Sequence, residues 1–215
     1  NLTEENIYVL DSPILTNSQL KKFKKFFSKK TKEIDCTFDI SSSLKDRIEE
    51  IREEAETSVR EGSTCLILSD KNISNKKASI PSILTVGAVH SHLVKLGLRG
   101  YCSLNVECAD ALDTHSFAIL IGVGATTVNP YLAIDSIYQR YEKELFGKSN
   151  FESCVVKFKK SIDAGLLKIM SKMGISVISS YRGGCNFEAV GLSRAIVSDY
   201  FPGMSSRISG IGVIG

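Results

Sequence analysis

The sequence predicts an α/β fold in which strand–helix units repeat around a parallel sheet. Short apolar runs that suit buried strands alternate with longer amphipathic segments about five times along the 215 residues. The strand runs lack polar residues at alternate positions, as expected when both faces of a sheet are covered. About five units are too few for an eight-stranded barrel. An incomplete TIM-barrel-like sheet and an open doubly wound sheet both remain possible.

The strand and helix predictions follow from apolar spacing and from capping residues. The predicted strands span residues 36–40, 64–70, 101–107, 126–130 and 175–180. The predicted helices span residues 18–29, 44–59, 81–96, 113–121, 132–145, 151–173 and 186–199. Ser43, with Asp46 three residues later, is typical of a helix start. Gly62, Gly97 and Gly174 follow predicted helix ends. From this order we expect an N-terminal tail and basic helix (1–35), a central α/β domain (36–200) and a glycine-rich linker (201–215).

Composition indicates a globular protein and argues against several classes of partner. The hydrophobic content is 43% and the net charge is +3, which gives no reason to expect a nucleic acid or an anionic membrane as a partner. No apolar run approaches the roughly 20 residues of a membrane span, and the N-terminus lacks a signal-peptide pattern. Because the chain also lacks an initiator Met, we expect it to be an internal piece of a longer protein.

The cysteines are widely spread, which favours free thiols over a disulfide framework. An intracellular, reducing compartment is therefore expected, although the spacing cannot distinguish the cytoplasm from an organelle. The six cysteines are Cys36, Cys65, Cys102, Cys108, Cys154 and Cys185. None has the close spacing of a zinc or iron–sulfur site.

Two motifs resemble ligand sites but lack the context that such sites need. His90 and His92 lie in a predicted helix, where residues two apart point in directions that differ by about 200°, so they cannot converge on a metal ion. The ending GIGVIG, residues 210–215, matches a dinucleotide-binding pattern, but no helix follows it in the sequence. The lysines and phenylalanines of residues 21–32 suit a helix with an apolar stripe docked on the protein and lysines in solvent.

Polar residues that follow predicted strands are the remaining candidates for a site. Glu107 could act as a general base and Asn129 as a hydrogen-bond donor, at the end of the strands where barrel enzymes carry catalytic groups. Tyr181, Arg182, Gly183 and Gly184 follow the predicted strand 175–180 and could form a site for a phosphate or carboxylate. We find no nucleophile–base pair and no metal ligand set. The residues alone therefore do not identify an activity.

Several stretches resemble the central region of glutamate synthase large subunits. They include IPSILTVGAVHSHLVKLGLR (80–99), GVGATTVNPYLA (122–133), KSIDAGLLKIMSKMGIS (160–176), SYRGGCNFEAVGL (180–192) and YFPGMSSRISGIG (200–212). DSPIL (11–15) and TCLILSD (64–70) also match. The stretches occur in the family's order and cover most of the chain.

The resemblance implies a parent oxidoreductase that acts on CH–NH₂ donors and makes L-glutamate from 2-oxoglutarate and glutamine-derived ammonia. It implies an amidotransferase domain and an FMN-binding barrel in the same polypeptide, an iron–sulfur cluster, and electrons from NAD(P)H or ferredoxin. The family's central domain is similar to a rudimentary FMN barrel that joins the catalytic domains and helps enclose the ammonia path.

None of the family's catalytic, flavin or cluster-binding motifs falls within these residues, so we expect this piece to be inactive alone and to hold no cofactor. The sequence also departs from the family, which usually has Gly-Ala-Gln after SYR, where this chain has Gly183, Gly184 and Cys185. Two alternatives remain: a phosphate- or flavin-binding α/β enzyme centred on Tyr181 to Gly184, and a non-catalytic docking module.

Overall fold

The computed structural model describes residues 7–184 and 186–213, which contain eight α-helices, two short 3₁₀ helices and eight strands. The helices are α1 (Asn17–Phe27), α2 (Leu44–Arg60), α3 (Ser82–Lys95), α4 (Thr114–Gly122), α5 (Tyr131–Glu142), α6 (Phe151–Lys172), α7 (Ile178–Tyr181) and α8 (Arg194–Tyr200). The strands are β1 (Thr31–Asp35), β2 (Thr37–Asp39), β3 (Cys65–Ser69), β4 (Lys77–Ser79), β5 (Ser103–Glu107), β6 (Thr127–Asn129), β7 (Glu188–Leu192) and β8 (Ser205–Ile211).

The central sheet has four parallel strands in the order β1-β3-β5-β6. Each strand of this sheet therefore lies beside the sheet strand that precedes it in the chain, and the direction of this order never reverses. A doubly wound sheet would reverse at a switch point. The predicted α/β fold with repeated strand–helix units is confirmed, and the strand order is that of an incomplete barrel.

The two faces of the sheet pack against different elements because side chains alternate along each strand. Leu66, Leu68, Leu104 and Val106 belong to the main core. The connecting helices α2, α3 and α4 contribute to the same core, so they lie on one face, which we call the outer face. On the other, inner face, Cys65 and Ile67 pack against residues of α1.

Six of the seven predicted helices begin and end close to their expected positions. The Ser43 hydroxyl caps α2 by accepting a hydrogen bond from the backbone N–H of Asp46. Asp113 and Asn150 cap α4 and α6 in the same way. Gly174 follows α6 with φ +70°, a left-handed conformation that glycine adopts without steric cost.

The first predicted strand was misplaced. The sheet contains β1 (Thr31–Asp35) in its place, while β2 pairs antiparallel with β4, which lies in a segment predicted as loop. The carboxylate of Asp35 accepts hydrogen bonds from the backbone N–H and the hydroxyl of Thr37, and these bonds turn the chain out of the sheet. Because β1 is an edge strand, its charged residues are tolerated, and its apolar pattern is too weak to reveal it.

The predicted strand 175–180 was also wrong, since this segment forms a loop and the single turn of α7. The edge of the sheet beyond β6 is already occupied by the N-terminal segment: Ile14 pairs with Val128, and the Leu15 N–H donates to the Val128 carbonyl at 2.9 Å. Ile175 and Ile178 pack against the main core instead. Their apolar character serves packing and not strand pairing.

The predicted helix 186–199 is divided in the structure into β7 and α8. Gly191 has φ +77°, which no helix accommodates, and the Ser193 hydroxyl then caps α8 through the Ile196 N–H. The expected glycine-rich linker contains β8, which pairs in parallel with β7. No helix among residues 7–184 and 186–213 is both long and apolar enough to cross a bilayer.

Candidate functional site

The carboxyl edge of the central sheet brings together the polar residues that follow its strands. Glu107, at the end of β5, is 3% exposed. Its carboxylate accepts a hydrogen bond from Ser69 at 3.0 Å and binds the ammonium groups of Lys71 at 2.6 Å and Lys24 at 3.5 Å. The candidate general base is therefore enclosed by partners from β3, the following loop and α1.

Electrostatics keep Glu107 ionised. Burial by itself would raise the pKa of Glu107, but the hydrogen bond from Lys71 and the charges of Lys24 and Lys71 outweigh it and lower the pKa below its usual value. A general base that works near neutral pH needs a pKa closer to that pH. The environment of Glu107 thus suits a structural ion pair better than proton transfer.

Asp70 lies immediately after β3, and its pKa is shifted in the opposite direction to that of Glu107. Its carboxylate is 3% exposed and accepts hydrogen bonds from the backbone N–H of Ala109 at 2.9 Å and from Ser79 at 3.4 Å. Burial raises the pKa of Asp70 because these bonds only partly replace its hydration. Burial, followed by the hydrogen bond to Asp70 and the charge of Asp70, raises the pKa of Tyr131.

Asn129, the second candidate at this edge, holds the N-terminal segment. Its amide donates to the Leu15 carbonyl at 2.8 Å and to the Asn17 side chain at 3.0 Å. On the inner face, the Asn105 amide donates to the Leu66 carbonyl at 3.0 Å and accepts from Thr127 at 2.8 Å. These polar side chains bind the protein's own backbone and side chains.

Helix α1 covers the inner face of the sheet. Leu20 and Phe23 are buried there, so the predicted apolar stripe is docked in part, whereas Phe26 is 43% exposed. Lys24 is an exception to the prediction of solvated lysines, because it binds Glu33 at 2.8 Å as well as Glu107. This contact could not be predicted from the sequence, since no local pattern links residues 83 positions apart.

The segment from Tyr181 to Gly184 does not lie at the end of a parallel strand. Tyr181 is 1% exposed and donates its hydroxyl hydrogen to the Ala118 carbonyl at 3.1 Å, while the Gly184 N–H donates to the Tyr181 carbonyl at 3.2 Å. Gly183 has φ +70° and lies against His90. Arg182 is half-buried and lines a groove of about 420 Å³ between the N-terminal segment and α6.

His90 and His92 contact different partners, as the helical spacing predicted. His90 Nδ1 accepts a hydrogen bond from Arg99 Nε at 3.1 Å, whereas His92 Nε2 lies 2.9 Å from a carboxylate oxygen of Glu56. Burial, then the charges of Arg99 and Arg182, lower the pKa of His90 to about 4. In the described part of the chain, no group of three or more histidine, cysteine or acidic residues is arranged to hold a metal ion.

The remaining sequence motifs have structural positions. Gly210 of GIGVIG lies in β8, where a Cβ atom would be 2.2 Å from the Gly191 carbonyl oxygen. The last two residues of that motif lie outside the described residues. Five of the six cysteines are buried free thiols, as predicted, and Cys185 lies outside the described residues.

The family model and the relatives that match this chain all point to the same protein family. A family model described as the glutamate synthase central domain matches residues 1–193. The large chain of a glutamate synthase [NADPH] from Azospirillum brasilense is 52% identical, over 99% of this chain and 14% of the relative. The corresponding large chain from Bacillus subtilis is 41% identical, over 94% of this chain and 13% of the relative. The ferredoxin-dependent glutamate synthase of Pyropia yezoensis is 39% identical, over 95% of this chain and 14% of the relative.

This chain thus spans about one seventh of the length of the curated relatives that it matches. Among solved structures, a crystal structure of DHODH in complex with ferulenol, from Eimeria tenella, aligns with a TM-score of 0.48 and 14% sequence identity. That alignment covers 73% of this chain and 38% of the other.

Proposed function

Because the chain belongs to the glutamate synthase central domain family, we propose that it joins an amidotransferase domain to an FMN-binding domain and helps enclose the path of ammonia between them. The parent would make L-glutamate from 2-oxoglutarate and ammonia released from glutamine. The FMN, the iron–sulfur cluster and the site for NAD(P)H or ferredoxin would lie in other parts of the parent. The isolated chain would be inactive.

The observation that supports this proposal best is the pairing of polar groups at the carboxyl edge of the sheet. Barrel enzymes place their catalytic groups at this edge. Here Glu107 is bound by Lys24 and Lys71, and Asn129 by the backbone of Leu15. A candidate general base that is already held by two lysines suits a supporting wall better than a reaction centre.

One observation favours the second candidate function, an anion site near Tyr181 to Gly184. Arg182 Nε is buried and has no hydrogen-bond partner within the described residues. A guanidinium in that state could bind a phosphate or carboxylate in the adjoining groove. A non-catalytic docking module remains the third alternative.

The connector function can be tested in the full-length parent with Glu107→Gln. Loss of the Glu107 charge weakens the contact that holds α1 over the sheet, so we expect glutamine-dependent glutamate synthesis to fall several-fold while free ammonia accumulates. Glutamine hydrolysis and synthesis from added ammonia should both persist. Glu33→Gln is a matched control, because Glu33 also binds Lys24 but is largely exposed.

Two results would contradict the connector function. If Glu107→Gln abolished synthesis from added ammonia in a folded enzyme, Glu107 would belong to a reaction centre. If the purified 215-residue chain carried stoichiometric flavin, with an absorption band at about 450 nm, the anion-site alternative would replace the connector function.

A further inference from the structure

The groove that Arg182 lines contains a guanidinium without an acceptor. This groove of about 420 Å³ lies between the N-terminal segment, the start of β6 and helix α6. The Arg182 Nε atom is buried and has no hydrogen-bond partner among the described residues. Burial lowers the pKa of Arg182, because the side chain loses hydration that no carboxylate among the described residues replaces. A buried cation in that state is costly, so a negatively charged occupant would stabilise the groove.

The neighbouring Arg99 shows the contrast with a fully bonded guanidinium. Its Nη1 and Nη2 atoms donate to the carbonyls of Cys102 at 2.6 Å and Gly124 at 2.9 Å. Its Nε atom donates to His90 Nδ1 at 3.1 Å. Burial, and then the charge of Arg182, lower the pKa of Arg99, so the two guanidinium groups repel each other. An anion beside Arg182 would supply the missing acceptor and offset this repulsion.

The other charged groups of the groove select the class of anion. Asp11 and Asp163 both line it. Asp11 is bound by the Lys159 ammonium at 3.0 Å, whereas Asp163 accepts only the uncharged hydroxyl of Ser12 at 2.6 Å and leaves its negative charge in the groove. That charge disfavours a phosphate or a dicarboxylate, which carry more negative charge than one guanidinium can balance. The groove is also lined by apolar side chains, which suit a hydrocarbon chain: Leu166, Met170 and Ile178.

We propose that this groove binds a small monocarboxylate with an apolar chain, whose carboxylate pairs with Arg182 and whose chain packs against Leu166, Met170 and Ile178. An arginine and a carboxylate form two parallel, charge-assisted hydrogen bonds. The volume of the groove lies within the usual range for small-molecule sites. The occupant would contact both the N-terminal segment and α6, so binding would hold that segment on the domain. Glu107 and its lysine partners do not line the groove, so this proposal goes beyond the connector function and does not depend on it.

Titration of the 215-residue chain with 4-methylpentanoate tests the proposal. The probe is a monocarboxylate with a branched apolar chain, and the side-chain Nε–H resonance of Arg182 reports its binding by NMR. We expect this resonance to shift with a Kd of about 1 mM or tighter. Inorganic phosphate and 2-oxoglutarate should bind at least about tenfold more weakly, and 4-methylpentylamine, which has the same chain with the opposite charge, should not bind.

Two variants separate the roles of the charged groups. Arg182→Gln should weaken 4-methylpentanoate binding at least about tenfold, measured by calorimetry, because the carboxylate loses its charged partner. The matched control is Arg207→Gln, since the Arg207 side chain is 83% exposed and lies outside the groove. Asp163→Asn keeps an acceptor for Ser12 but removes the negative charge, so it should strengthen 2-oxoglutarate binding.

Hydrogen exchange gives a readout that needs no variant. Saturating 4-methylpentanoate should slow exchange of the amides of residues 10–16, because the occupant contacts this segment. An unshifted Arg182 resonance at about 10 mM probe, equal affinities of the natural chain and Arg182→Gln, or tighter binding of phosphate would each overturn the proposal. Failure of the connector function is recognised separately, because it is measured by Glu107→Gln in the parent and leaves binding to the 215-residue chain unchanged.

Discussion

Arg52 of α2 binds Asp199 of α8, which lies 147 residues later in the chain. The guanidinium donates to the Asp199 carboxylate and to its carbonyl, both at 3.2 Å, and also to the Ala88 carbonyl at 3.3 Å. Its Cζ lies 4.7 Å from the centre of the Tyr200 ring. Because Asp199 and Tyr200 lie beyond residue 193, Arg52 connects the part of the chain that matches the family model to residues that follow the match.

Substitution of Arg52 by Ala should destabilise the chain by about 2–3 kcal/mol, because two carbonyl acceptors lose a charged donor. The Asp199 carboxylate is half-exposed, so Asp199→Ala should cost less than about 1 kcal/mol. Urea unfolding measures both. The control is Arg60→Ala, which removes an exposed helical pair with Glu56 and should change stability by less than about 0.5 kcal/mol. Equal effects of Arg52→Ala and Arg60→Ala would contradict this role.

Gly87 of α3 lies directly against the end of α8. A Cβ atom there would lie 2.3 Å from the Phe201 ring and 2.9 Å from the Tyr200 carbonyl oxygen. We expect Gly87→Ala to destabilise the chain by about 1–3 kcal/mol, because the buried ring and backbone must shift. Gly100→Ala meets no atom within 4 Å and should be neutral or slightly stabilising. Thermal unfolding that shifted equally in the two variants would rule out the close contact as the cause.

Sequence patterns predicted the elements that are uniform along their length. α2 was recognised because its apolar residues keep helical spacing, and β3 because it is buried on both faces. β1 was missed because only Ile34 of this edge strand lies in the main core. The run 175–180 looked like a strand because apolar packing in a loop gives the same local composition.

The candidate site shows a similar division. Glu107 and Asn129 could be singled out because polar residues that end parallel strands meet at one edge. The partners of Glu107 and Asn129 could not be predicted, since Lys24 and Leu15 reach them through contacts between residues far apart in sequence. The chemistry of a carboxylate depends on those partners, so the sequence allowed a general base where the structure has an ion pair.

His90 should make stability depend on pH between about 6.5 and 4. Its pKa is about 4 in the folded chain, because of burial and then Arg99 and Arg182, and about 6.5 when unfolded. A depressed folded pKa means that this stabilisation is complete above pH 6.5 and is lost as the pH falls. We expect a loss of about 2 kcal/mol, less than the full shift implies because the ring is partly hydrated.

Unfolding of His90→Gln at pH 7 and pH 4.5 measures this contribution. The loss of stability between these two pH values should be smaller in the variant than in the natural chain. His115→Gln is the control, because His115 is exposed and its substitution should leave the profile unchanged. Identical profiles for the natural chain and His90→Gln would show that the ring protonates without cost.

Glu107 and Asp70 should have opposite effects on the pH dependence, since the pKa of Glu107 is lowered and that of Asp70 is raised. Glu107 stabilises the fold above its unfolded pKa of about 4.3, and this contribution is lost as the pH falls. The loss of stability caused by Glu107→Gln, about 1–3 kcal/mol at pH 7, should therefore shrink toward pH 3.

Asp70 favours folding when protonated, so the natural chain should lose stability relative to Asp70→Asn as the pH rises from about 4. Chemical denaturation from pH 3 to 7 tests both, and parallel curves for the two variants would contradict the assignment.

Phe23 should contribute most of the binding energy that holds α1 on the inner face of the sheet. Its side chain is 3% exposed and forms an edge contact with Tyr8, with ring centroids 5.3 Å apart. Phe23→Ala should cost about 3–5 kcal/mol, because it removes buried apolar area and leaves a cavity above Ile67 and its neighbours. Phe26 lies on the same helix but is 43% exposed, so Phe26→Ala should cost less than about 1 kcal/mol. If α1 were loosely attached, the two variants would unfold at the same urea concentration; a large difference that appears only for Phe23 would establish α1 as part of the folded sheet domain.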